Sequence, residues 1–211
     1  MMKKKGAKGL HLKPGHVHVT SARPYSAHHL LNQIAAEAIR RGDADEGSTR
    51  HEALIAILTS ALAIEALANT LGPRVVDGWD DFNNVRPIAK WRLIYGGIPI
   101  KFDSAKEPWI STKWLFALRN SIAHAQPDNV QTEQVMTPAE FSQVERGKME
   151  FPASEVEKQL TMANAKKALK AFEAVRDSLS PYLKPEHGLG IFGDMMTGGA
   201  RLIPPSPSST K

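Results

Sequence analysis

The sequence predicts an all-α fold, a single mainly helical domain carried between two non-helical ends. Three observations predict it. Apolar residues recur at three- and four-residue spacing through the middle of the chain. One segment, Ala53 to Ala68, is apolar almost all round, as the central helix of a core should be. Two helix-opening patterns, Thr137-Pro138-Ala139-Glu140 and Ser154-Glu155-Val156-Glu157, stand in its second half. A chain of 211 residues is long enough for one filled core and short for two domains. The expected division is a basic arm over 1–25, a helical domain over 26–182 and a Gly/Pro/Ser-rich tail over 183–211.

The arm carries Lys3, Lys4, Lys5, Lys8, Lys13 and Arg23 and no acidic residue; the first carboxylate is Glu37. Gly6, Gly9, Pro14 and Gly15 keep it from forming a helix. Gly15 to Thr20 alternates like a short strand, which would put His16 and His18 on one face. Two histidines without a third ligand are read as solvent-facing residues, so no metal site is assigned.

From Ser26 the pattern turns helical. Leu30, Leu31, Ile34, Ala35 and Ile39 mark a core-facing stripe, with Arg40, Arg41 and Gly42 as the last turn and stop. A polar loop over Asp43 to Ser48 leads into a long helix from His51 to Leu71, closed by Gly72-Pro73. Glu65 is the only charge between Ala53 and Ala68, and a carboxylate in such surroundings needs a counter-charge. An arginine elsewhere in the chain is the expected partner. Residues 73–110 hold Pro73, Pro87, Pro99, Pro108 and Gly96-Gly97, leaving room for a short helix around Ile88 to Tyr95. Trp79, Trp91 and Trp109 in this connection are read as lids over the core, not as platforms for stacking bases. A helix opened by Ser111 or Thr112 then runs to about Ala125, a small one starts at Thr137-Pro138, and a last long one starts at Ser154 with Val156, Leu160, Leu169, Phe172, Val175 and Leu179 as its apolar residues. From Pro185 onward Gly, Pro and Ser make up 12 of 27 residues, and that tail is expected to be mobile.

Composition narrows the function classes. No cysteine occurs, which removes disulfides, thiolate metal ligands and cysteine nucleophiles and suits a reducing compartment, the cytoplasm. The apolar stretch is short for a bilayer and carries Glu65, so no membrane anchor is expected. Lys3 to Lys5 are not followed by the apolar block of a secretory signal. A net charge of +5 permits an anionic partner.

The chemically pointed segment is Arg119-Asn120-Ser121-Ile122-Ala123-His124. A helix advances about 100° per residue, so Trp114, Leu115, Leu118, Ile122 and Ala125 fall on one stripe, facing the core. Asn120 and His124, four apart, stack on the opposite side, and Arg119 sits on the flank with Phe116 and Ala123. That mixed flank is suited to a second subunit. The plainer account is that Arg119 neutralises Glu65, Asn120 caps a loop, and His124 complements the helix dipole in solvent.

The run Trp114-Leu115-Phe116-Ala117-Leu118-Arg119-Asn120-Ser121-Ile122-Ala123-His124 resembles the signature helix of HEPN domains, in which an arginine and a following polar residue, often asparagine, precede a histidine. Ser60 to Asn69 looks like that family's second helix, and Lys90-Trp91-Arg92-Leu93-Ile94 followed by Glu107-Pro108-Trp109 looks like its approach to the motif. The likeness spans about residues 26–180 and is strongest from 50 to 128. It implies an up-and-down four-helix bundle with a long connection before the motif helix, no cofactor, and a homodimer in which two motif helices face each other across a cleft. Its implied activity is that of a metal-independent endoribonuclease of toxin, phage-defence or RNA-processing type, leaving 2′,3′-cyclic phosphate and 5′-hydroxyl ends.

The residues suit that chemistry. RNA supplies its own nucleophile, the 2′-hydroxyl, so the enzyme needs a proton acceptor, a proton donor and positive charge on the phosphate. Histidine exchanges protons around neutrality, which makes His124 the candidate base or acid. Arg119 grips phosphate oxygens through its planar fork, and Asn120 orients the imidazole or bonds the phosphate. Glu65 supports Arg119, and Lys3, Lys4, Lys5, Lys8 and Lys13 hold RNA non-specifically or simply solubilise the terminus. Two other readings stay open: a non-catalytic module that pairs with a nucleotidyltransferase or antitoxin or senses a nucleotide, and a structural dimer in which the motif is an ion-pair network.

Overall fold

The structure is a computed structural model that describes residues 26–82, 84–125, 130, 131, 133, 135–143 and 152–182, together with the backbone of 17–22 and 197–202. The described part is helical in class. Its four long helices are α1 (Ala27–Ala44), α2 (Thr49–Val75), α4 (Trp109–Ala123) and α7 (Met162–Leu179), with α3 (Pro87–Gly96), α5 (Pro138–Gln143) and α6 (Glu155–Gln159) as shorter pieces. Strands β1 (Val17–Ala22) and β2 (Thr197–Leu202) pair antiparallel, Val17 opposite Leu202 and Ala22 opposite Thr197. The strand read at Gly15 to Thr20 is thus present two residues later. Its partner comes from the tail, whose composition carried no strand signal. His18 stands opposite Arg201 in the backbone register, while His16 and Lys3, Lys4, Lys5, Lys8 and Lys13 lie outside the described residues.

α2 is the centre. α1 packs along it antiparallel: His28 Nδ1 meets Thr70 Oγ1 at one end, at 3.4 Å, and Arg41 pairs with Glu52 at the other, at 3.1 Å. α7 and α4 cover further faces of α2 and pack on each other. Ala53, Ala56, Ile57, Ala61, Ile64, Leu67 and Leu71 of α2 are buried with Ala168, Phe172, Val175 and Leu179 of α7. Many of these contacts are alanines, and small side chains let the helix axes approach closely. By length and composition α2 is the one described helix able to cross a bilayer; half of its most apolar window is buried against its neighbours.

Several boundaries differ from the sequence reading, each for a local reason. α1 does not stop at Gly42 but runs to Ala44. Gly42 is instead a close-packing position, where a Cβ would stand 2.6 Å from the Met162 sulfur. Leu30 and Ile34, read as core residues, are exposed at 47% and 36%; Ala35, Ala38 and Ile39 form the buried stripe. α2 passes through Gly72-Pro73 and ends one turn later at Val75. Near the end of the helix, a proline removes one ladder bond without stopping the turn. Gly72 lies against the ring of Trp79, and a Cβ there would overlap it. The last helix is broken at Leu160, where ψ is 69°, and restarts under a new cap: Thr161 Oγ1 accepts from Asn164 N at 3.2 Å. The Ser154–Glu157 capping box is formed as read, but it opens only the short α6.

The connection before α4 docks as a lid. Trp91, Tyr95, Phe102 and Trp109 form one ring cluster with centroids 4.8–5.6 Å apart. Tyr95 Oη is 3.0 Å from Ser178 Oγ, which ties the cluster to α7. Burial, above all, raises the Tyr95 pKa. Trp79, Trp91 and Trp109 are all buried, as their reading as lids required. α3 spans the short helix expected there, with Pro87 in its first turn. The same cluster sets where α4 starts. Trp109 is its first residue, so Ser111 and Thr112 lie inside the helix instead of opening it; Thr112 is buried and bonds back to the Pro108 carbonyl at 2.9 Å.

Candidate active site on α4

α4 turns Trp109, Thr112, Leu115, Phe116 and Leu118 into the core. Phe116 was read onto the flank beside Arg119 and is in fact buried, which removes most of the apolar flank expected to meet a second subunit; only Ala123 remains exposed there. Trp114 and Ile122 are half-buried, and Lys167 Nζ stands 4.0 Å above the Trp114 ring. Ala125 is exposed, beyond the end of the helix.

Arg119 and Glu65 are paired. The Arg119 Nη2 group donates to Glu65 Oε1, joining α4 to α2 across 54 residues of sequence. The two side chains are 23% and 27% exposed, so the pair is shielded but open on one side. Arg119 Nε is buried and makes no hydrogen bond among the described residues. Glu65 therefore holds one edge of the guanidinium fork and leaves donor capacity over.

Asn120 and His124 are exposed, and neither side chain makes a hydrogen bond among the described residues. α4 ends at Ala123, so His124 is the C-cap residue and not a residue of the last turn. Its backbone N–H still bonds the Asn120 carbonyl at 3.0 Å, which keeps the two residues one turn apart. The polar motif is thus a shielded arginine followed by an amide and an imidazole that are exposed and make no side-chain hydrogen bond among the described residues.

Beside it lies a cavity of about 250 Å³ that the sequence reading missed. Glu65, Ala68 and Asn69 of α2, Asn84 to Arg86 of the connection, Pro87 and Lys90 of α3, and Arg119 line it. Lys90 Nζ donates to Asn69 Oδ1 at 3.0 Å and stands 5.7 Å from the Trp79 ring centroid. No spacing rule could have found this cluster, because three separated segments contribute to it; the Arg86-Pro87 helix start was its one local mark. His28, fully buried on α1 and stacked on His29 at 4.3 Å, was also not singled out. Among the described residues no group of three or more His, Asp or Glu side chains is placed to hold a metal ion. Neither a family model nor a curated protein nor a solved structure matches the chain.

Proposed function

We propose that the chain is a HEPN-like, metal-independent endoribonuclease that acts as a homodimer, with Arg119, Asn120 and His124 as catalytic residues and Glu65 as the residue that positions Arg119. The observation that carries this reading is the contrast within one turn of α4: Arg119 is pinned by Glu65, while the exposed side chains of Asn120 and His124 make no hydrogen bond among the described residues.

In the reaction a base takes the proton of the RNA 2′-hydroxyl, the 2′-oxygen attacks the adjacent phosphorus, and the bond from phosphorus to the 5′-oxygen breaks. The departing 5′-oxygen receives a proton, giving 2′,3′-cyclic phosphate and 5′-hydroxyl ends. Each chain supplies one motif histidine, so a cleft between two copies would supply a base and an acid. Arg119 meets the charge that builds on the phosphate oxygens, and a guanidinium already oriented by a carboxylate needs little rearrangement to do so.

The test is incubation of the purified protein with mixed RNA in EDTA, beside a His124→Ala control. Cleavage leaving cyclic phosphate ends, lowered about 10²–10⁴-fold in the variant, is the expected result, with Arg119→Ala comparably impaired and Asn120→Ala less so. Undiminished cleavage by His124→Ala, or activity that returns only with a divalent ion, overturns the mechanism. The second reading, a non-catalytic module docking a nucleotidyltransferase or antitoxin, is favoured by Leu30, Ile34 and Leu62, exposed apolar residues on α1 and α2 that suit a protein partner.

A further inference from the structure

The cavity beside Arg119 has a composition that stability does not explain. Three cationic side chains line it, Arg86, Lys90 and Arg119, against one carboxylate, Glu65, which already faces Arg119. Among the described residues neither Arg86 nor Lys90 has an ion-pair partner. Lys90 is held over the cavity by a neutral acceptor, Asn69 Oδ1, and by the face of Trp79, neither of which cancels its charge. Asn69 and Asn84 add amide groups, and the cavity opens at the N-terminal end of the ten-residue α3, where the helix dipole is positive. Like charges converging on one concavity repel one another, so the arrangement favours an anion that bonds to several donors at once. At about 250 Å³ the space is below the roughly 300–1,000 Å³ of pockets for drug-sized ligands. It suits one phosphate with its sugar, not a folded polyanion.

We propose that this cavity is a phosphate subsite in which Arg86 and Lys90 hold an RNA phosphate next to the one that Arg119 grips. The inference rests on the ribonuclease reading for its ligand, and it adds to that reading two positioning residues outside the motif. The strand enters between α2 and α3, is seated there by Arg86 and Lys90, and passes over Arg119 toward Asn120 and His124. Glu65 holds Arg119 for the reacting group, while Arg86 and Lys90 take its neighbour.

The test uses the full chain and its Arg86→Gln/Lys90→Gln variant; neither side chain packs in the core. Binding is read by fluorescence anisotropy on a single-stranded RNA methylated at every 2′-oxygen, which lacks the nucleophile, over a series of salt concentrations. For single strands each phosphate no longer neutralised lowers the magnitude of the slope of log affinity against log salt by about 0.7, so the double variant, which gives up one phosphate, should lose about 0.7. Lys90→Arg alone should keep the wild-type slope. The second arm adds uridine 5′-monophosphate, or uridine, and follows the Trp79 indole resonance, which lies beneath the Lys90 ammonium. The monophosphate should shift it, uridine should not, and the double variant should show no shift. If RNA is cleaved but the variant keeps the full slope and the monophosphate leaves Trp79 unmoved, the subsite is wrong and the nuclease reading stands. If the monophosphate shifts Trp79 but no RNA is bound or cleaved, the phosphate site stands and the nuclease reading falls.

Discussion

Replacing Glu65 by glutamine removes the counter-charge of Arg119 where water reaches only part of the pair. Fully exposed ion pairs contribute about 0.2–1 kcal/mol, and breaking a fully buried one costs about 3–5 kcal/mol. With side chains 27% and 23% exposed, the pair belongs between these limits, and Glu65→Gln should cost about 1–3 kcal/mol. The glutamine oxygen can still accept one bond from Nη2, which argues against the upper end. Arg119 Nε, buried and without a hydrogen bond among the described residues, argues against the lower one, because the guanidinium would keep its charge with little to compensate it. For a domain of this size the melting temperature should fall by about 2–4 °C per kcal/mol. Urea unfolding followed by circular dichroism gives the free energies directly. A cycle with Arg119→Met isolates the pair: once the arginine is gone, the glutamine should cost little, leaving a coupling of about 1–2 kcal/mol. Additivity to within about 0.3 kcal/mol would refute the idea that Glu65 works through Arg119.

Gly72→Ala should destabilise the chain by about 1–3 kcal/mol through overpacking against Trp79; an unchanged thermal melt would mean that Trp79 is not seated on α2. Glu157 is held below the usual carboxylate range first by the Ser154 backbone N–H, then by the Ser154 hydroxyl and by the charge of Arg50. Its stabilising effect is therefore full above its unfolded value, about 4.3, and is lost as pH falls through its folded value. An NMR titration should show the α6 amides losing order over that interval, and Ser154→Ala, which removes the hydroxyl but keeps the backbone N–H, should raise the Glu157 midpoint part of the way; a midpoint unmoved by Ser154→Ala would refute the hydroxyl's share in the box. Light scattering should report a dimer at micromolar concentration, and a strict monomer with or without RNA would remove the shared cleft.

How much of this was legible beforehand depended on the range of the interaction. The Glu65–Arg119 pair could be anticipated, although 54 residues separate its members, because a lone carboxylate in an apolar helix leaves few ways to be satisfied. Asn120 and His124 could be placed off the core stripe by periodicity alone, and both are exposed. The break at Leu160 was missed because a capping box signals a start and says nothing of how far the helix runs. Phe116 was misplaced because the core around α4 is wider than one stripe, with α2 on one side and α7 on another.

The sequence by itself determined the helical class, the existence of the long apolar α2, the burial of the three tryptophans in the connection, and the polar character of Asn120 and His124. These follow from periodicity, side-chain chemistry and capping, which act over a few residues. Only the tertiary structure decided where α2 and α4 end, that Gly42 and Gly72 are contact positions, that β1 finds its partner near the other end of the chain, and that Arg86, Lys90 and Arg119 surround one cavity. These depend on which surfaces meet, and two helices packed against a third bring together residues whose spacing along the chain carries no trace of the meeting.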